Sequence, residues 1–145
     1  MDRRKRLFTE KRTVRWGDCD PAGVIYSPRV FDYAMEALEI FNREILGINW
    51  MDLNFKRGYG VPMVRTEVDF MGLLRSDQEI EIDIHVSDIG KSSVTYLSHG
   101  FDEGKKYFRV KMICCYISRT DFKSIPIPHD IREILRRYMG TGSVE

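Results

Sequence analysis

Between Ser27 and Gly47 the chain carries its only long stretch of helical period, and from Met63 to Ser118 it repeats with a period of two. A chain built this way has few folds open to it. One helix must bury its apolar stripe, and the strands that follow supply the surface to bury it on. Val30, Ala34, Leu38, Phe41 and Ile45 recur at helical spacing, while Asp32, Glu36, Glu39 and Arg43 keep another face. Ser27 before Pro28 reads as an N-cap with proline at the first helical position, and Gly47 sits where a left-handed C-cap belongs.

The strand runs are legible by alternation. Residues 8–16 are rich in β-branched and aromatic types and read as a first strand. In Met63–Phe70, Val64, Thr66, Val68 and Phe70 alternate with charged residues. In Glu79–Val86, Ile80, Ile82, Ile84 and Val86 alternate with Glu81, Asp83 and His85. Ser92–Phe101 and Lys106–Ser118 form two longer strands around the turn Asp102-Glu103-Gly104-Lys105, the second apolar on both faces near Val110–Ile117 and so central or covered on both sides. Residues 48–60 read as an irregular connection with a helical turn around Met51–Phe55. After Pro126 and Pro128, Ile131, Ile134, Leu135 and Tyr138 mark a short helix. The order is α+β: one helix against an antiparallel sheet of about five strands. The edges of such a sheet need cover, and self-association supplies it.

At 145 residues and 43% hydrophobic, the expectation is one domain over 1–145, with 1–6 and 140–145 as flexible ends. Lys plus Arg total 23 against 22 Asp plus Glu, which argues against a nucleic-acid partner. Arg3-Arg4-Lys5-Arg6 reads as a solvated terminus. No run approaches a membrane span and no signal-peptide core is visible, so no membrane partner is expected. Cys19, Cys114 and Cys115 form no disulfide framework; Cys114 and Cys115 point to opposite faces of a strand. This usage fits a reducing, cytoplasmic setting.

Chemistry concentrates ahead of the long helix, in Gly17-Asp18-Cys19-Asp20-Pro21-Ala22-Gly23-Val24-Ile25-Tyr26-Ser27-Pro28. A phosphate loop, a dinucleotide fingerprint and a Cys-x-x-Cys pair are all missing, so no cofactor is expected. His85, His99 and His129 are scattered, and His85 shares its strand face with Glu79, Glu81 and Asp83, which reads as solvated surface rather than a metal ligand. Ser27 lacks the context of a nucleophile elbow. Asp18 and Asp20 remain. Aspartates in such a loop also serve turns and caps. Asp20, though, precedes a proline in a small, apolar loop seven residues before Ser27. A carboxylate is too feeble to attack an amide, but a thioester is activated and expels a thiol of pKa about 8.5. A backbone N–H at the helix start near Ser27 can hold the oxyanion. Thioester hydrolysis leads on this reasoning.

The same loop, close after a first strand and opening a long helix, closely resembles the 4-hydroxybenzoyl-CoA thioesterase family of hotdog-fold proteins, in the branch that uses an aspartate here. The resemblance covers nearly the whole chain, including the Val61-Pro62 lead-in to the second strand. It implies a hotdog fold, with an antiparallel sheet wrapped around one long central helix and a short C-terminal helix. It implies edge-to-edge homodimers, often homotetramers, with active sites between subunits. The activity implied is acyl-CoA thioesterase, with Asp20 as nucleophile or general base and the backbone N–H of Ser27 as the oxyanion donor. Family members often carry tyrosine or histidine at the position of Ser27, and relatives of the 4-hydroxybenzoyl enzyme have tryptophan at that of Tyr26, so the role passes to the backbone and no aromatic acyl group is assigned. The resemblance further points to Lys91 and Ser92 for the CoA phosphates. For the acyl group it points to Tyr26, Pro28, Phe31, Val61, Pro62, Met63 and Val64. Its rivals are a thioesterase for acyl chains on a carrier protein and a non-catalytic acyl-CoA binding module. A dehydratase would want a histidine at the helix mouth.

Overall fold

A computed structural model describes residues 7–139. The basic terminus and the ends expected to be flexible lie outside the described residues. The order is β1 (Thr9–Thr13), a 3-10 turn at Trp16–Asp18, and α1 (Ser27–Phe41), then π-helical turns at Asn42–Leu46 and Asp52–Lys56. β2 (Tyr59–Gly60), β3 (Met63–Phe70), β4 (Glu79–Asp83) and β5 (His85–Ile89) follow, with β6 (Ser93–Asp102), β7 (Lys105–Cys115), β8 (Ile117–Ser118) and α2 (His129–Met139).

The main sheet is antiparallel in the order β1-β4-β6-β7-β3, with β5 also pairing β6. It has six strands where about five were expected. The difference lies at Ile84. The run 79–86 keeps a single register on β6, from Glu81↔Phe101 to Val86↔Tyr96, but the Ile84 carbonyl accepts the Tyr138 hydroxyl and its N–H donates to Phe8 O, so the strand divides there. The expected strand 106–118 likewise ends at Cys115, and Ile117–Ser118 turns off to pair β2. β7 is central, as its two apolar faces required. Its turn from β6 needs only Glu103 and Gly104, at φ 46° and 81°, the signs of a type I′ hairpin.

α1 lays Val30, Tyr33, Ala34, Ala37, Leu38 and Phe41 on the sheet. The two alanines let the backbones approach. Phe41, fully buried, meets Phe8, Tyr96 and Tyr138 edge-on at 5.7, 5.8 and 4.8 Å. Burying such a ring contributes about 2 kcal/mol. Gly100 is required on β6 because a Cβ there would fall 2.2 Å from the Phe108 ring. Gly47 caps the helical segment at φ 68°, as expected, after a final π turn.

One expectation fails on the other face of the sheet. Instead of the solvated position its strand pattern predicts, His85 is 9% exposed, with Asp83 at 7% and His99 at 3%. Glu79, on the same face, is exposed as expected. The reason is pairing across strands. Asp83 accepts from both imidazoles and from the His99 N–H, so its carboxylate is satisfied without water.

Candidate active site

The loop before α1 folds as a small hairpin. Cys19 bridges Ile25, the Asp20 N–H donates to Val24 O at 2.9 Å, and the Gly23 N–H donates to Asp20 O at 2.9 Å. Asp20, Pro21, Ala22 and Gly23 therefore occupy the four positions of a turn whose preferences they match, with Gly23 at φ 79° closing it. Ile25 N–H donates to Leu74 O at 2.8 Å, which anchors the hairpin to the segment after β3. Its return strand runs directly into α1.

The two aspartates of the loop are used differently. Asp18 is engaged on every side: its backbone oxygen accepts the Tyr26 N–H at 2.8 Å, and its Oδ2 accepts the Tyr33 hydroxyl at 2.7 Å. Arg12 and Arg29 stand 3.6 and 3.8 Å away. Arg12 lies over the Tyr33 ring at 4.2 Å and pairs with Glu36. Burial, then the hydrogen bond and charge of Asp18, push the Tyr33 hydroxyl up to about 12, so it stays a donor. Among the described residues the Asp20 side chain makes one hydrogen bond, its Oδ1 accepting the Ala22 N–H at 2.9 Å, and its Oδ2 has no partner. Cys19 between them is a poor thiolate, because burial first and then the neighbouring carboxylates raise its pKa.

At the helix start the N-cap is Tyr26 rather than Ser27. The Tyr26 carbonyl already accepts the Arg29 N–H at 2.8 Å, which makes Ser27 the first helical residue. Its side chain makes no cap bond. The expected backbone donor is still available: Pro28 has no N–H, and the Ser27 N–H has no backbone acceptor among the described residues. An N–H at the positive end of a 15-residue helix is a suitable oxyanion donor.

The remaining expected site residues divide between the two ends of the sheet. Tyr26 and Pro28 are exposed beside the Asp20 hairpin, and Phe31 is half-buried against the core. Val61 and Pro62 lie at the opposite end of β3 and line a cleft of about 350 Å³ with Met35, Trp50, Ile117 and Phe122, where Asn54 and Arg119 are the polar groups. Met63 and Val64 follow on β3, Val64 being 62% exposed. Lys91 and Ser92 belong to that same end: the Tyr116 N–H bonds Ser92 O and the Cys115 N–H bonds Pro62 O. Lys91 is exposed, and its carbonyl is clasped by Arg132 at 2.7 Å. Within one chain, then, Asp20 and the cleft stand apart. Sequence reasoning missed Arg12, Tyr33 and Trp50. Tyr33 falls on the apolar stripe of α1 and looks like plain core, while Arg12 and Trp50 carry no periodic signal.

The family model described as the thioesterase-like superfamily matches residues 14–135. A curated 1,4-dihydroxy-2-naphthoyl-CoA hydrolase of Nostoc punctiforme is 34% identical over 91 residues, 61% of this chain and 61% of that protein, so less than two thirds of its length is covered. A thioesterase superfamily structure from Jannaschia sp. CCS1 superposes with a TM-score of 0.86 at 26% identity, over 93% of this chain and 94% of that one. A Staphylococcus aureus protein solved in complex with CoA superposes with a TM-score of 0.89 at 13% identity, over 97% and 89% of the two chains, a likeness of fold alone.

Proposed function

The chain belongs to the thioesterase-like superfamily, and on that premise we propose that it is an acyl-CoA thioesterase acting through Asp20 and the backbone N–H of Ser27. The observation that carries this reading is the contrast within one loop. Asp18 is tied down by Tyr33, Arg12 and Tyr26, while Asp20, in the hairpin that leads into α1, keeps a carboxylate oxygen without a partner among the described residues. Asp20 either attacks the thioester carbonyl or takes a proton from a water that does. In both routes the carbonyl oxygen gains negative charge, which the Ser27 N–H and the helix terminus stabilise, and the CoA thiolate leaves. Water supplies the hydroxyl of the free acid and the proton of the thiol. Asp18 and Tyr33 act as positioning residues for the hairpin.

The quaternary arrangement we propose is a homodimer, able to pair again into a homotetramer, with each site shared between subunits. Among the described residues β3 is paired on one side only, by β7, and Val64 and Phe70 on it are 62% and 58% exposed. An eight-residue open edge of this kind needs cover. Two β3 strands meeting antiparallel about a two-fold axis set the Met63 end of one beside the Phe70 end of the other. That contact places the Asp20 hairpin of one subunit near the Val61–Pro62 cleft of its partner. The cleft then takes the acyl group, and Lys91 and Ser92 at the same end take the CoA phosphates.

A thiol-release assay on wild type and Asp20→Asn tests the chemistry, using short, long and aromatic acyl-CoA esters. Aromatic esters belong in the panel because of the substrate named for the Nostoc relative. Release that collapses in the variant supports the proposal. CoA esters that bind without release would favour a binding module, and release from acyl-carrier protein alone would favour the carrier-protein reading. For the shared site, Asp20→Asn is mixed with the cleft variant Val61→Arg; recovered activity shows that one site draws on two chains.

A further inference from the structure

Away from the Asp20 hairpin, Asp83, His85 and His99 bring three donor atoms within 4.8 Å of one another. Asp83 closes β4, His85 opens β5 and His99 comes from the middle of β6. Asp83 Oδ2 lies 3.0 Å from His85 Nε2, and Oδ1 lies 3.1 Å from His99 Nδ1, with the rings edge-on at 5.4 Å. The side chains are 9%, 11% and 4% exposed. A carboxylate this deep requires compensating charge or donors. Burial raises the Asp83 pKa, but the two histidine hydrogen bonds outweigh it and hold the group below the ordinary carboxylate value.

His99 adds an independent sign. Its Nε2 is buried and has no hydrogen-bond partner. Without an ion Nδ1 carries the ring proton towards Asp83, and the unpartnered Nε2 is the nitrogen that takes this proton when Nδ1 ligates a metal. Arg109, opposite His99 on β7, has its guanidinium 3.8 Å from Asp69 on β3.

We propose that Asp83, His85 and His99 form a binding site for one divalent transition-metal ion of the Zn²⁺ class. Two imidazoles and one carboxylate match that class, while Ca²⁺ and Mg²⁺ want oxygen ligands throughout. Ligands at about 2.1 Å in tetrahedral array stand about 3.4 Å apart, so the two carboxylate–imidazole contacts open by a few tenths of an ångström and the two ring nitrogens, within 4.8 Å of each other, close on the ion. The fourth position falls to water, through the more exposed His85 side. Binding needs the ring protons on the far nitrogens, Nδ1 of His85 and Nε2 of His99. The ion would clasp the β4–β5 junction to β6 where the strand is interrupted at Ile84, a structural role apart from thioester chemistry.

The test strips the full chain with chelator, adds Zn²⁺, desalts and measures retained metal by elemental analysis. Wild type and a His129→Gln control should each keep a single equivalent, and His85→Gln and His99→Gln should lose it. Zn²⁺ at about a hundredfold over its dissociation constant should raise the wild-type melting temperature by roughly 5–10 °C and leave the two variants unmoved. No retained ion in wild type, or equal retention in His85→Gln, overturns the proposal. Should His99→Gln fail to fold, the visible spectrum of Co²⁺-loaded wild type decides. Nitrogen and oxygen ligation supports the site, whereas thiolate charge-transfer bands would place the ion on cysteine and overturn it.

Discussion

Asp20 and Asp83 are both carboxylates on turns or strand ends of this protein, and their surroundings could hardly differ more. Asp20 is half-buried in its hairpin, with one oxygen accepting the Ala22 N–H and the other without a partner among the described residues. Asp83 is 7% exposed, with both oxygens taken by two imidazoles and a backbone N–H. The first has what the proposed reaction needs: access and a carboxylate oxygen left over in the hairpin that leads into a helix. The second has what a clasp needs: short range, several partners and exclusion of water. The proposed mechanism gives the chemistry to the carboxylate that its neighbours leave underused.

The sharpest way to break this comparison is Asp20→Asn, which should lower kcat by about 10²–10⁴-fold, the scale of a lost general base, with the melting temperature unchanged. A wild-type rate in that variant would end the distinction. Asp83→Asn should do the opposite. Removing the charge from a buried, paired group costs about 3 kcal/mol, read as a lower denaturant midpoint, while kcat per folded molecule holds. If its kcat falls instead, the two regions are coupled.

Gly100→Ala loads the strand that carries His99 from the helix side, through the clash with the Phe108 ring. The expected loss is about 2 kcal/mol, again with kcat retained. Tyr33→Phe is the mildest: losing the donor to Asp18 costs about 1.5 kcal/mol and should show in KM or kcat through a looser hairpin. Its pH signature is specific. The Tyr33 pKa is raised on folding from an ordinary 10.0 to about 12, so its contribution is complete below pH 10 and lost as pH rises towards 12. The stability difference between wild type and Tyr33→Phe, measured by denaturation at each pH, should shrink across that interval.

Period and turn chemistry are local, and they were readable. The stripe Val30, Ala34, Leu38, Phe41 lies on the sheet as its spacing required. Gly47 and Glu103-Gly104 turn where their dihedral preferences allow. The Asp20-Pro21-Ala22-Gly23 hairpin follows from the same preferences. The errors arose where a distant residue took over a local group. Tyr138, 54 positions away, takes the Ile84 carbonyl and divides a strand that alternation made continuous. His99, 16 positions away, draws Asp83 and His85 out of water, although their own strand pattern marked them as surface.

The sequence by itself determined the α1 stripe, the strand alternation and the loop that presents Asp20, because each depends on spacing within a few residues. Tertiary structure alone decided which aspartate is left free, which histidines are buried, and that the Val61–Pro62 cleft lies at the far end of β3 from the Asp20 hairpin. Those facts depend on hydrogen bonds and packing between residues far apart in the chain, and periodicity carries no record of them.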